Sequence, residues 1–375
     1  MKKIICLTIM FVMFIMSGTA VYSEDNSESD ILQDSGATSI TLPENTNDFI
    51  NENNISISEP QGIVSLSPQK VIAYVWESFQ DKITVPLKLL GGILAVILLS
   101  SLMSGMANSV TNENIVKVFD IITVLICVSI IANPVCDVIS LASSTLVDGG
   151  NFMISYVPIF SGILASSGNI TSAGSYNVIV LFVAQIFVQL ANTYLLPVLG
   201  FCMALSVVES INPTISLSGI TNGLKKISIW GIGFMMTIFV GMLTIQSIVG
   251  TSADTLAIKA GKFMVSSFIP VVGGAISDAY TTIKGSLGLL RGGVGSFGII
   301  ALVLTVLPTI LSIFSVQISV GLGQVAADIF GVKQISAFLK NISSVLSIAM
   351  SLVLCFSVML IISTTIVMMV GMNIG

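Results

Sequence analysis

From Gly149 to Val208 the chain runs for 60 residues without one Asp, Glu, Lys or Arg, and from Asn341 to Gly375 for another 35. Apolar runs beyond ~18 residues with almost no charge read as membrane-crossing helices. The composition agrees: 54% of the 375 residues are hydrophobic and 9% are charged, against ~25% charged in a soluble domain. The expected fold class is therefore all-α, a polytopic membrane protein. In lipid, each helix satisfies its own backbone groups.

The few charges are segregated. Between Glu24 and Lys82 lie eleven acids and two lysines, whereas from Ile83 onward ten basic residues face eight acids. The first segment implies a solvated acidic tail. Neither part carries the basic patch that nucleic acid would need, so no nucleic-acid partner is expected. The chain has no histidine and one arginine, Arg291. That excludes Ser-His-Asp and Cys-His catalysis, HExxH zinc ligation and multi-arginine phosphate sites. No GxxxxGK[ST] loop occurs either. Cys6, Cys127, Cys136, Cys202 and Cys355 are scattered without a CxxC pair, so they read as small apolar side chains. No enzyme, metal or cofactor is implied.

Lys2 and Lys3, an apolar stretch Ile4–Met16 and then small residues have the three-part layout of a signal peptide over 1–23, the alternative being an uncleaved anchor. Residues 24–70 are acidic and poor in large apolar residues, and are expected to be disordered and extracytoplasmic. The membrane domain then runs over 71–375, opening with a short interfacial helix at 71–83. Spans are expected at 86–107, with Pro86 starting the helix, and at 118–142, with Pro134 inside. Residues 152–166 are too short to cross and contain Pro158, so they read as re-entrant or interfacial. Residues 176–208 make one long kinked helix or a tight pair meeting near Asn192–Pro197. Further spans follow at 228–250, at 294–321 around Pro308, and at 343–369, with a second proline-broken segment at 263–283 around Pro270.

These segments echo one another. Gly150 and Phe152 match Gly261 and Phe263, and Leu196-Pro197 matches Leu307-Pro308, each 111 residues later. Pro158 and Gly162 match Pro270 and Gly274 at 112. We read an internal repeat with copies at about 118–228 and 229–340 and a partial third at 341–375. Broken segments at matching positions of two repeats point to a transport site at their meeting, or to prolines that only kink spans for packing.

Gln185, Gln189 and Asn192 share one helical face. They line an aqueous path or bond a neighbouring helix. Asp278 is either a costly intramembrane carboxylate paired with Lys284 or Arg291, or an ordinary charge at the water interface. The candidate pathway residues are thus Pro158, Gln185, Gln189, Asn192, Pro197, Pro270, Asp278 and Pro308. Four-residue spacing of small residues at Ser101/Gly105, Gly288/Gly292 and Ser315/Ser319/Gly323 suits close helix packing, within the chain or in a homo-oligomer.

The signal peptide, acidic leader and polytopic region resemble the stage III sporulation protein AE family. The text TSADTLAIKAGKFMVSSFIPVVGGAISDAYTTIKGSLGLLRGGVG at 251–295 carries the resemblance most clearly. It implies a multi-pass subunit in the mother-cell membrane around the forespore, within a channel that supports spore development. The implied partners are membrane lipids, proteins of the same sporulation operon including a secretion-type ATPase and ring-forming proteins, and a forespore channel protein. It implies no catalytic residue. The alternatives are a non-conducting scaffold for the ring proteins and a stand-alone secondary transporter.

Overall fold

The computed structural model describes residues 44–53, 68–107, 113–211, 218–268 and 273–369. The expected signal peptide at 1–23, most of the acidic segment, and Pro270 lie outside the described residues. Every described element is helical: α1 (Glu44–Glu52), α2 (Pro68–Ala107), α3 (Glu113–Ser166), α4 (Ile170–Gln189), a π-helical turn (Leu190–Leu195), α5 (Leu196–Ile211), α6 (Ser218–Phe268), α7 (Gly273–Ile329) and α8 (Lys333–Met369). Six of these helices carry runs long and apolar enough to cross a membrane.

The C-terminal helix is the axis of the bundle. α8 packs against α7, α6, α5 and α3, and 72% of its most apolar window is buried. A helix that is apolar on all sides belongs in a core, and α8 holds the most apolar window of the six, with mean hydropathy 2.8. α6 is its opposite, with 17% of its window buried and Trp230, Phe234, Ile245 and Ile248 turned outward. α3 and α6 lie on different flanks, each packed against both α4 and α8.

The prolines break fewer helices than expected. Residues 152–166 are the last turns of the 54-residue α3, which runs through both Pro134 and Pro158. They are not a separate re-entrant segment. An interior proline costs roughly 3 kcal/mol, and here the surrounding turns offset it. Phe152, Tyr156 and Phe160 are fully buried and stack at 5.2 and 5.6 Å, while Pro158 faces outward. Pro308 likewise lies inside α7. Pro86 does not start a helix. α2 begins at Pro68, so the expected interfacial helix at 71–83 and the following span are one 40-residue rod.

The polar stretch after Ser166 compresses into a tight reversal. Gly168 adopts φ 84°, which only glycine takes without strain. Its N–H bonds the Ala165 carbonyl at 2.9 Å and the Asn169 N–H bonds that of Leu164 at 3.2 Å, the Schellman pattern. At 190–195 the chain widens into the π-helical turn instead of ending. Asn192–Pro197 therefore joins α4 and α5 as one long irregular helix. A π turn here accommodates a Pro197 that has no N–H to give.

Small residues do bring α7 onto α2. Ser319 Oγ donates to the Pro86 carbonyl at 2.9 Å, and a Cβ on Gly323 would sit 2.6 Å from Ile93. Among the described residues, Gly105, Gly288 and Gly292 meet nothing within 4 Å.

Part of the acidic leader is folded, contrary to the disorder expected there. α1 buries Thr46, Phe49 and Ile50 and leaves Asp48 and Glu52 exposed. Phe49 lies 4.5 Å from the Tyr74 ring of α2, and Thr46 Oγ1 meets Thr305 Oγ1 of α7 at 3.2 Å. A nine-residue helix is marginal alone; these contacts hold it.

Candidate functional site: a polar face on two neighbouring helices

α3 carries a 49-residue apolar run whose most apolar window has mean hydropathy 2.2, yet one of its faces is polar. Between Asn133 and Ser166, every position within an arc of about 80° is Asn, Asp, Ser, Pro or Gly, at 100° per residue. Asp137, Ser144, Asp148, Asn151 and Pro158 on this arc are exposed, and Ser155 is half-buried. The serines turn their hydroxyls back to the helix: Ser144 Oγ donates to the Leu141 carbonyl at 3.0 Å and Ser155 Oγ to that of Phe152 at 2.9 Å. Before Asn133 the same arc is apolar, with Phe119, Ile122 and Ile126 exposed.

α4 extends the polar face. Val188 fills the space that a Cβ on Gly150 would take, and the Phe160 and Tyr176 rings meet at 5.7 Å. This antiparallel register sets Gln185 and Gln189, both exposed, beside the turns bearing Asp148, Asn151 and Ser155.

Cross-contacts fix the depth of this face. A Cβ on Gly149 would lie 2.5 Å from Phe356, whose ring is 5.3 Å from that of Phe187. One residue earlier on α8, Cys355 Sγ lies 3.9 Å from the Ile232 carbonyl of α6. At that level α6 exposes Trp230 (69%) and Phe234 (53%), stacked at 5.4 Å. One flank of the bundle is therefore apolar where the other is polar. The apolar run of α3 alone extends ~73 Å, more than twice the ~30 Å of a hydrocarbon core, so acyl chains cannot cover all of it. Exposed amides and carboxylates at membrane depth face water or a partner.

α4 is held by two polar clasps near its ends. Asp254 of α6, buried to 3%, accepts from the Thr171 N–H at 2.9 Å, the Ser172 N–H at 3.0 Å and the Ser172 hydroxyl at 2.7 Å. A carboxylate so placed caps the first turn and complements its dipole. Gly250, one turn earlier, has no room for a Cβ, which would sit 2.7 Å from Ser172 Oγ. At the far end the Tyr194 and Ser228 hydroxyls bond at 2.5 Å. The 22 residues between Ser172 and Tyr194 rise ~33 Å, close to one hydrocarbon thickness.

Of the sequence-predicted residues, Pro158, Gln185 and Gln189 come together on this face. Pro197 is exposed beyond the π-helical turn. Asn192 lies within that turn and Asp278 within α7, but their side chains are outside the described residues. Pro308 does not join them. It is half-buried, its carbonyl accepts from Ser312 Oγ at 2.8 Å, and its neighbour Thr309 meets Thr145 at 2.7 Å across the α3–α7 seam. The α3 arc and Asp254 escaped the sequence reading. The arc was legible at 100° per residue; Asp254 carried no local signal, because its partners are 82 and 83 residues away.

The architecture defines an all-α, multi-pass membrane protein with one polar flank. The family described as stage III sporulation protein AE matches residues 53–371, and the chain belongs to that family. It is similar to the stage III sporulation protein AE of Bacillus subtilis (strain 168), 24% identical over 300 residues, covering 76% of this chain and 75% of the relative. No solved structure matches it. This is a membrane protein of sporulating cells.

Proposed function

We propose that the chain is an integral membrane subunit of a secretion-like or feeding channel that links mother cell and forespore, and that the α3/α4 polar face lines its water path. The observation that carries this is the polar arc of α3, with its carboxylates and amides, at a level where α6 exposes Trp230 and Phe234 and, as a polar group, Thr237, whose hydroxyl donates to its own helix at the Gly233 carbonyl. In this reading α6 faces lipid in the mother-cell membrane, and several copies turn α3 toward a shared lumen. The interior of a single chain is packed, with Tyr156, Tyr176, Phe187 and Phe356 all fully buried. That favours a lumen between copies over a stand-alone transporter. The 111-residue repeat would supply the paired α3–α4 and α6–α7 layouts. The missing nucleotide-binding loop suits a subunit driven by a separate secretion-type ATPase and seated against ring-forming proteins and a forespore channel protein.

The test is Gln189→Arg in a sporulating strain. Spore maturation should fail with chain level and complex assembly unchanged, because a bulky charge would sit in the path. Normal spores would remove Gln189 from the lining. Purified chain should also pass small solutes across liposomes, whereas a non-conducting scaffold leaves them sealed.

A further inference from the structure

We infer that this path prefers cations to anions, and that Asp148 sets its charge. The inference rests on the polar face being a water path and adds the class of solute it admits. The charges exposed on α3 between Asn133 and Ser166 are Asp137 and Asp148, both acidic. The elements beside α3 add to them. Thr145 meets Thr309 at 2.7 Å, and one turn along α7 Thr305 meets Thr46 of α1 at 3.2 Å. This chain of contacts sets α1, with exposed Asp48 and Glu52, level with the turn bearing Asp148. On α2, Glu77, Lys70 and Lys88 are exposed. The described flank thus shows five carboxylates against two lysines.

The two aspartates do not sit in equally acidic surroundings. Gly92 packs on Ile130, a Cβ there lying 3.0 Å away, so along antiparallel α2 the exposed Lys88 lies within a turn of Asp137, and the exposed Glu77 and Lys70 each within about a turn of Asp148. Asp137 thus faces one lysine, whereas the level of Asp148 carries Glu77, Asp48 and Glu52 against Lys70. The two levels, ~16 Å apart, are separated by more than a Debye length at physiological salt, ~8 Å. Repeated by each copy around a lumen, Asp148 makes a ring of carboxylates, the arrangement that favours cations in pores. Low-dielectric walls focus its field and concentrate counter-ions.

The test places a reporter one turn from Asp148. In the full-length chain, with Cys6 and Cys136 replaced by serine, Asn151→Cys is exposed in membranes from sporulating cells to a cationic or an anionic methanethiosulfonate of similar size. The cationic reagent should react faster, on the order of tenfold. Asp148→Asn should bring the two rates together, and Asp148→Glu should restore the difference, which a purely structural role would not do. Equal rates in the parent, or a preference that survives Asp148→Asn, overturn this inference and leave the conduit standing. No reaction with either reagent shows a dry face and overturns both.

Discussion

Gly150 leaves no space for a side chain. Val188 of α4 occupies the volume a Cβ would need, and this contact sets the register that brings Gln185 and Gln189 beside Asp148. Gly150→Val should destabilise the chain by ~1–3 kcal/mol, as overpacking does, seen as a lower melting midpoint in detergent. An unchanged midpoint would mean the two helices are not this close. Asp254 acts through bonds instead of volume. Its removal in Asp254→Ala strands the first N–H groups of α4, a loss of roughly 1–3 kcal/mol. Asp254→Asn keeps an acceptor and should lose less. Hydrogen exchange at the Thr171 and Ser172 amides reads this directly: both should exchange faster in Asp254→Ala, and unchanged protection would deny the cap.

Among the elements, α3 and α1 depart most from expectation. α3 continues through Pro158, whose ring points away from the packed faces. Pro158→Ala should therefore restore a helical hydrogen bond and raise the melting midpoint, by up to ~3 kcal/mol in free energy. A fall would mean that the chain needs a break there. α1 docks through few contacts, and its placement is testable by a covalent link. Thr46→Cys with Thr305→Cys should form a disulfide under mild oxidation, because the two hydroxyl oxygens stand 3.2 Å apart. No crosslink would place the leader elsewhere.

At the scale of the whole molecule the bundle has two unlike flanks, and that asymmetry is the basis of the conduit reading. α6 turns Trp230 outward among Phe234, Ile245 and Ile248. In Trp76→Phe, Trp230 is the one remaining tryptophan, and lipids brominated on their acyl chains should quench it strongly. Quenching no greater than in unbrominated lipid would mean that protein, not lipid, covers α6 and that the lumen lies on another side.

The helical class, the apolar runs long enough to cross a membrane and the family were legible in the sequence. Length without charge and a 3.6-residue period are local properties, written residue by residue. The face bearing Gln185 and Gln189 was legible for the same reason. What each proline does was not. Pro158 and Pro308 carry the same chemistry, and only the tertiary structure turned one outward onto a polar arc and set the other half-buried against the Thr145–Thr309 seam. Nor could sequence spacing pair Asp254 with Ser172 or seat Thr46 on Thr305. Such contacts arise when distant helices pack, and their energy depends on geometry that no single segment contains.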